Sequence, residues 1–404
     1  MSAVPVPGCL QWQPASTGPG CWQWYVGRRP SLLPQRRGNL DMTTPPTKPA
    51  RPLRMLFWES TARCNLACSH CRRLDVQTSP DELTTADVKG LLKSAAKMGP
   101  PVFVFSGGEP LLRNDWEELA RFAAALGVPT ALASNGTLID ATMARRISRA
   151  NFSRVALSID AATAEAHDAI RGPGSFDLTA RGLAELAKLG VATQINVTVT
   201  RANVGQLDDM LTLAQQARVA AMHLFMLVPV GCGVSLAPSQ QLSPQQYEQV
   251  LNWICDRQVE QAKAAGRPGR PGQAGRAGLG KTAVELRSTC GPGYYRVAAQ
   301  RGMKLARPGL RGCLGGVSVV FVSHTGEVFP CGYLPVSCGS IRQEPLETIW
   351  QGSEVLADLR DFDKLKGKCS RCEFQAICGG CRARAFAQTG DYLTEEPHCL
   401  HEPK

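Results

Sequence analysis

The chain has 404 residues, of which 44% are hydrophobic and 20% charged, and its 45 Lys and Arg against 34 Asp and Glu give a net charge of +11. This composition excludes a disordered chain, a collagen-like protein and a coiled-coil rod. Residues 1–51 hold six basic residues and one acidic residue, and residues 263–311 hold eleven and one. Because the rest of the chain is slightly acidic, the sequence does not predict a nucleic-acid-binding protein.

The 16 cysteines are many for a chain of this length, and most of them lie in two clusters. Cysteines separated by two residues are poorly placed for disulfides with each other and well placed to bind one metal centre. Residues 1–41 lack the continuous apolar core of a secretory signal, and the longest apolar runs of the chain are far shorter than a membrane span. The sequence therefore predicts a metal protein of the reducing cytoplasm, without a membrane span.

In chain order, residues 1–50 are rich in Pro, Gly, Trp and Arg. This composition predicts either a disordered tail or a translation start that is too far upstream, with Met42 as the true first residue. From residue 54 onward, apolar runs alternate with amphipathic runs, which indicates a parallel sheet, either doubly wound or an incomplete barrel. The predicted strands are Arg54–Glu59, Val102–Ser106, Thr130–Ser134, Arg154–Asp160, Thr193–Thr200 and His223–Val228. The predicted helices are Thr85–Lys97, Trp116–Leu126, Ala141–Ala150, Ser175–Leu189, Val204–Gln216 and Pro244–Ala264.

The composition changes after this alternating region, which covers residues 51–264. Residues 265–283 are of low complexity, rich in Gly, Pro and Arg, and predict a flexible insertion. Residues 284–404 are rich in Cys and Gly and have few long periodic segments. They predict a second, metal-dependent domain.

Three cysteines, Cys64, Cys68 and Cys71, lie in the loop after the first predicted strand. Three thiolates can bind three irons of a [4Fe–4S] cluster and leave the fourth iron open to a chelating ligand. The alternative is a zinc site, for which His70 is poorly placed as the fourth ligand. Ser-Gly-Gly-Glu at 106–109, Ser-Asn-Gly at 134–136 and Ser-Ile-Asp at 158–160 follow the next three strands. Since parallel strands end at one edge of a sheet, we expect these motifs to form one site.

The cysteine spacing and these motifs resemble the radical S-adenosylmethionine (SAM) superfamily, in which SAM binds the open iron. The resemblance implies an incomplete (β/α)6 barrel of TIM type, with the cluster on the three cysteines. It also implies that a 5′-deoxyadenosyl radical formed from SAM takes a hydrogen atom from the substrate, so no catalytic side chain is expected beyond cluster and SAM. The implied SAM contacts are Gly107, Gly108, Glu109, Ser134, Asn135, Ser158, Asp160, Arg171, Asn196 and Val228.

The C-terminal cysteines resemble the SPASM extension of radical SAM enzymes, which holds one or two auxiliary [4Fe–4S] clusters. The alternative from spacing alone is a pair of zinc ribbons. The implied ligands are Cys369, Cys372, Cys378 and Cys399 for one cluster, and Cys313, Cys331 and Cys381, completed by either Cys290 or Cys338, for the other.

Longer segments, among them Phe57–Cys64, Thr289–Arg296 and Cys378–Arg384, resemble the heme synthases of the siroheme-dependent pathway. This family converts Fe-coproporphyrin III to heme b by oxidative decarboxylation of two propionates. The resemblance implies a tetrapyrrole substrate and an electron donor of flavodoxin or ferredoxin type. Arginine binds carboxylates well, so basic and aromatic residues between the two predicted domains are the expected substrate contacts. These are Arg287, Tyr295, Arg296 and Arg301.

Other functions remain open at this point. A heme d1-type reaction or the maturation of a peptide would use the same clusters. Peptide maturation predicts a docking element ahead of the barrel, which residues 1–50 do not resemble. A non-catalytic iron–sulfur electron carrier would leave Glu109, Asn135 and Arg171 without a role.

Overall fold

The computed structural model describes residues 52–73, 81–264, 283–303 and 311–404. In these ranges, ten strands form one sheet. The strands are β1 (Met55–Glu59), β2 (Val102–Ser106), β3 (Thr130–Ser134), β4 (Arg154–Ser158), β5 (Thr193–Val199), β6 (Ala221–Met226), β7 (Glu285–Thr289), β8 (Val319–Val322), β9 (Glu327–Phe329) and β10 (Gly339–Ser340).

The strands lie in the order β10-β9-β8-β1-β2-β3-β4-β5-β6-β7. All pairs from β8 to β7 are parallel, whereas β9 and β10 are antiparallel additions beside β8. The order is linear rather than closed, so the barrel is incomplete, and the predicted fold class is confirmed. The six predicted strands are β1 to β6, each ending within two residues of its predicted bounds.

Helices connect the parallel strands and bury one face of the sheet. On β4 and β5, Leu157, Ile195 and Val197 are almost fully buried in the main core together with Leu183 and Leu186. The alternate residues of these strands are mostly small or polar and face the opposite side. The described helices are α1 (Thr85–Lys97), α2 (Trp116–Ala125), α3 (Ala141–Arg149), α4 (Ala164–Arg171), α5 (Ser175–Lys188), α6 (Leu207–Gln216), α7 (Gly233–Gln240), α8 (Pro244–Ala264), α9 (Gly293–Gln300), α10 (Leu346–Gly352), α11 (Glu354–Arg360) and α12 (Arg382–Thr389).

The C-terminal part of the chain adds a strand to each side of the six-stranded core. β7 pairs with β6, and β8 pairs with β1, so that Met55 lies opposite Val319. The predicted boundary at 284 therefore falls inside a continuous sheet, and the division into domains stays a prediction. The predicted tail and nearly all of the predicted insertion at 265–283 lie outside the described residues. Among the described helices, none is long and apolar enough to cross a membrane.

Candidate functional site

The loop after β1, called here the cysteine loop (residues 60–73), carries the first three predicted ligands, all half-buried. Two guanidinium groups lie beside their sulfur atoms. Arg73 Nε donates to Cys71 Sγ at 3.3 Å, and Arg171 donates to Cys68 Sγ at 3.8 Å. Burial raises the pKa of Cys68 to about 11, although Arg171 lowers it, so the guanidinium group offsets part of the cost of forming the thiolate that binds metal.

The two glycines after β2 hold this loop in place. Gly108 N donates to Thr61 O at 2.9 Å, and Glu109 N donates to Arg63 O at 2.8 Å. A Cβ atom at Gly108 would overlap the carbonyl group of Arg63, and Gly107 has a φ of +130°. Glycine is therefore required here for close packing of one loop on the other. Contact of Gly107 and Gly108 with SAM stays a prediction.

Glu109 is fully buried, and its carboxylate joins the loops after β2 and β3. It accepts hydrogen bonds from Ser134 Oγ at 2.9 Å, Asn135 N at 2.8 Å and Leu111 N at 3.2 Å. Burial raises the pKa of Glu109 to about 7, although these three hydrogen bonds lower it. With four acceptor positions, the carboxylate can still take one further donor, such as an ammonium group.

Asn135 connects the loop after β3 to the cysteine loop. Its Nδ2 atom donates to Asn65 Oδ1 at 2.9 Å and lies 3.9 Å from Cys64 Sγ. Its Oδ1 atom accepts from the backbone and side chain of Thr137 at 2.9 and 2.8 Å. The side chain is thus fixed with a donor directed towards the first cysteine.

Arg171, at the end of α4, is fixed by the carboxylate of Asp160. The Arg171 Nε to Asp160 Oδ2 distance is 2.5 Å, and Asp160 Oδ1 accepts from Thr198 N at 2.6 Å. Burial raises the pKa of Asp160, but Arg171, His70 and the Thr198 amide outweigh it, so the pKa lies below its usual value. The pair therefore stays charged and holds a cation against the cysteine loop.

Three other predicted SAM contacts lie farther along the sheet. Ser158 and Asn196 are opposite each other on β4 and β5. Val228 is 2% exposed and packs in a small apolar cluster with Leu334 and Leu359. Val228 therefore joins the sheet to the C-terminal residues, and its contact with SAM stays a prediction.

Four cysteines from different segments form a first auxiliary group. The thiols of Cys290 and Cys381 form a hydrogen bond, which lowers the pKa of Cys381. Burial, together with the nearby sulfur atoms of Cys313 and Cys381, raises the pKa of Cys331 to about 12. Cys290 also has a φ of +53°, a conformation that is rare for residues other than glycine. Of the two predicted fourth ligands, the structure thus brings Cys290 to this group; Cys338 Sγ instead lies 3.8 Å from Val336 O.

The second auxiliary group consists of Cys369, Cys372, Cys378 and Cys399. Burial, together with the nearby Cys399 and Cys369, raises the pKa of Cys378 to about 12. Cys369 acts on the pKa of Cys372 in the same way. The structure therefore brings together the four cysteines that the resemblance to the SPASM extension assigns to one cluster.

Cys378 and Cys381 belong to different groups although only two residues separate them. Gly379 and Gly380, which lie between, have φ angles of +71° and +60°. A Cβ atom at Gly379 would lie 2.8 Å from the Arg311 guanidinium, and one at Gly380 would lie 2.9 Å from Glu396 Cβ. Two successive left-handed residues turn the backbone, so the flanking thiols point to different groups.

A buried ion pair, Arg384 with Glu396, lies between the two auxiliary groups. Arg384 Nε donates to Glu396 Oε1 at 2.7 Å, and Arg384 Nη2 donates to Glu396 Oε2 at 3.1 Å. Arg384 also donates to Cys290 O at 2.9 Å, while Glu396 accepts from Cys381 N at 2.6 Å. Glu396 N in turn donates to Cys369 Sγ at 3.4 Å. One ion pair therefore positions residues of both groups.

The donor sets fit iron–sulfur clusters better than single zinc ions. At a zinc site with Zn–S bonds of about 2.3 Å, the sulfur atoms lie within roughly 4 Å of one another. In the described ranges, the set with ligand atoms within 4.8 Å of each other is Cys372, Glu373 and His401, which contains one sulfur. Among the described residues, no three cysteines have all their sulfur atoms this close together, which suits clusters in which each thiolate binds its own iron better than a single zinc ion.

Of the four predicted substrate residues, the structure brings Arg287 near Tyr295, since Arg287 lowers the pKa of that tyrosine against the effect of burial, whereas Arg296 and Arg301 pair with acidic residues on α8. Arg296 is 3% exposed and paired with Glu248. Cys399 and Cys378 raise its pKa, which places Arg296 near the second auxiliary group. Arg301 is on the surface, 2.5 Å from Asp256. The Tyr295 ring packs against the main core. Arg287 lies on the edge strand β7.

Sequence reasoning did not identify two aromatic residues on the sheet side of the first auxiliary group. The rings of Tyr333 and Phe225 are 6.4 Å apart. Burial raises the pKa of Tyr333, and so do Cys290 and Cys331 of the auxiliary group, whereas Arg72 of the cysteine loop lowers it. The Tyr333 side chain therefore lies between the auxiliary group and the cysteine loop. On β6, Phe225 and His223 alternate with the buried Met222, Leu224 and Met226, which was the available signal.

Residues 58–214 match the Radical SAM superfamily, and residues 313–373 match SPASM, an iron-sulfur cluster-binding domain. The AdoMet-dependent heme synthase of Methanosarcina barkeri (strain Fusaro / DSM 804) is 40% identical over 362 residues, which are 87% of this chain and 97% of that protein. The pre-heme d1 synthase of Dinoroseobacter shibae (strain DSM 16493 / NCIMB 14021 / DFL 12) is 31% identical over 370 residues, which are 89% of this chain and 90% of that protein. The solved structure of native anSMEcpe with bound AdoMet and Kp18Cys peptide has a TM-score of 0.65 at 21% identity, covering 86% of this chain and 94% of that one. This last likeness bears on the fold alone.

Proposed function

The chain belongs to the radical SAM superfamily, in its branch with a SPASM iron–sulfur domain, and we propose that it is a heme synthase that acts on Fe-coproporphyrin III. Membership makes it an enzyme that uses SAM and a [4Fe–4S] cluster, which confirms the predicted cofactors and leaves the electron-carrier hypothesis without support. The observation that carries the proposal is the identity to a heme synthase over almost the whole of that relative's length.

Cys64, Cys68 and Cys71 would hold the SAM-binding cluster, and the two auxiliary groups would hold one cluster each. When bound, cluster and SAM supply a 5′-deoxyadenosyl radical. The chain's own residues fix this site, since Arg73 and Arg171 lie beside the thiols and Glu109 holds the loops after β2 and β3 together. Glu109 has acceptor capacity left for the SAM ammonium.

The reaction proposed at each of two propionates is balanced without an acid or base from the protein. The β-carbon loses a hydrogen atom, the bond to the carboxylate breaks, and carbon dioxide leaves. The remaining two carbons form a vinyl group once one further electron leaves the substrate, and a cluster held by one of the two auxiliary cysteine groups would accept that electron. The protein's tasks are to position the propionate and to exclude water. We also propose a flavodoxin- or ferredoxin-type protein as the source of reducing electrons.

Anaerobic incubation of the cluster-loaded protein with SAM, a reductant and Fe-coproporphyrin III tests the proposal. We expect heme b, with the mass loss of two decarboxylations, and 5′-deoxyadenosine. The C64A/C68A/C71A variant is the control and should form neither product. Formation of 5′-deoxyadenosine without loss of mass from the tetrapyrrole would reject the heme synthase proposal and would favour another substrate, such as a heme d1 precursor or a peptide.

A further inference from the structure

The hydroxyl group of Tyr247 is a buried polar group that forms no hydrogen bond with any described residue. Tyr247 lies in the first turn of α8, and it is 1% exposed. Withdrawing a hydroxyl from water without a new hydrogen bond costs free energy. A buried group of this kind indicates a partner other than the protein chain, such as a water molecule, an ion or a cofactor.

The Tyr247 side chain lies beside the second auxiliary group. Its ring packs edge-on against His398, the residue before Cys399, with 5.9 Å between the ring centroids. Burial raises the pKa of Tyr247 well above its usual value, and Cys378 of the second group adds more to this rise than Cys381 of the first group does. The hydroxyl is therefore closer to the second group than to the first.

The charged group packed on the Tyr247 ring cannot accept a hydrogen bond. The Arg384 guanidinium lies 4.9 Å from the ring centroid, and a guanidinium has donors but no acceptor. Two of its nitrogen atoms are bound to the carboxylate of Glu396, and one of these also donates to Cys290 O. With its raised pKa the Tyr247 hydroxyl keeps its proton at neutral pH. What it needs is therefore an acceptor.

A second buried donor atom lies near the same cysteine group. Arg296 is 3% exposed, and its terminal nitrogen atoms donate to Glu248 and Gln300, whereas its Nε atom has no partner in the described part of the chain. Glu248, Cys399 and Cys378 raise the pKa of Arg296 against the effect of burial. Helices α8 and α9 thus each place one buried donor beside the second auxiliary group.

We propose that the Tyr247 hydroxyl donates a hydrogen bond to a sulfur atom of the cluster in the second auxiliary group and so raises the reduction potential of that cluster. Hydrogen bonds to the sulfur atoms are among the factors that set the potential of an iron–sulfur cluster. Reduction adds negative charge to the cluster, so the bond is stronger in the reduced state and favours the uptake of an electron. The inference rests on the part of the proposed function that gives this group a cluster, and it does not depend on the substrate.

The test is a redox titration, followed by electron paramagnetic resonance, of the cluster-loaded C64A/C68A/C71A variant, in which the auxiliary clusters alone give a signal. Adding Tyr247→Phe, which removes the hydroxyl and keeps the ring, should favour the oxidised form of one cluster about 3- to 10-fold. The midpoint potential of that cluster should then fall by about 30 to 60 mV for a one-electron couple. Cys372→Ser, which replaces a ligand of the second group, identifies the signal of that cluster.

Tyr294→Phe in the same background is the matched control. Tyr294 is also buried, but its hydroxyl donates to Gln258 Oε1 at 2.5 Å. This substitution should leave both auxiliary potentials unchanged. We expect the iron content of Tyr247→Phe to equal that of the unsubstituted background, because Tyr247 is not a cluster ligand.

Unchanged potentials in Tyr247→Phe, a shift of the first cluster instead of the second, or the same shift in Tyr294→Phe would overturn the inference. Loss of iron from Tyr247→Phe would overturn it as well, since the residue would then be needed to build the group rather than to set its potential. If Cys372→Ser changes neither the iron content nor any signal, the second group holds no cluster. That result would reject this part of the proposed function together with the inference.

Discussion

Replacement of Glu396 by Gln tests whether the Arg384–Glu396 ion pair organises the C-terminal cysteines. Both side chains are at most 3% exposed. The substitution keeps the shape of the side chain but leaves the Arg384 guanidinium without a counter-charge, and it turns an NH2 group towards either Arg384 or Cys381 N. Breaking a buried ion pair on one side costs about 3–5 kcal/mol. Since domains are stable by about 5–15 kcal/mol, the loss is a large fraction of the total.

The assay is anaerobic thermal unfolding of the cluster-loaded protein, with iron analysis of the same samples. We expect E396Q to unfold several degrees below wild type and to lose auxiliary iron, while iron on the cysteine loop is retained. Glu185→Gln is the matched control, because Glu185 pairs with Lys188 on an exposed helix face, where such a pair contributes about 0.3–0.5 kcal/mol. An E396Q protein with the unfolding temperature and iron content of wild type would refute the role given to this pair.

Three further predictions concern the cysteine groups and Glu109. Cys290→Ser should lower the iron content by about one cluster while Cys338→Ser leaves it unchanged, and the opposite result in iron analysis would assign the fourth ligand to Cys338. Gly108→Ala should displace the cysteine loop and cost the iron bound there, whereas Gly205→Ala, with no atom within 4 Å of the added carbon, should keep it. Glu109 has a pKa of about 7 in the folded protein, against the usual 4.5 in the unfolded chain. Between these pH values the folded protein holds a proton that the unfolded chain has lost. The contribution of Glu109 to stability therefore falls as the pH rises from about 4.5 to 7. E109Q should therefore show a flatter pH dependence of its unfolding temperature over this interval, and an unaltered pH profile would contradict the pKa shift.

The strands β1 to β6 were predictable because each is a short apolar run followed by a turn motif, a signal contained in neighbouring residues. The positions of β7 and β8 were not, because the choice of a strand partner depends on contacts between residues far apart in sequence. Glu285–Thr289 alternates polar and apolar residues too weakly to be recognised by itself, and it is a strand because β6 offers it an open edge.

The same distinction applies to the candidate site. The resemblance to the SPASM extension implied the second auxiliary group, whose members lie within one segment of the chain. It left Cys290 and Cys338 as alternatives, because only the folded backbone decides which thiol reaches Cys381. Arg296 was predicted as a substrate contact because arginine binds carboxylates. Its burial beside Glu248 depends on three-dimensional packing, which the amino-acid composition does not reveal.

The pairing of β1 with β8 also governs how the chain can fold. More than 250 residues separate Met55 from its partner Val319, so the ribosome must make most of the protein before the first strand is paired on both sides. Until then the nascent sheet has an open edge at β1 and another at β6, and open edges of this kind promote aggregation. A fragment that stops before residue 283 would keep both edges bare. The C-terminal segment is therefore needed for a soluble sheet as well as for its cysteines, and iron can enter the auxiliary groups only late in biogenesis.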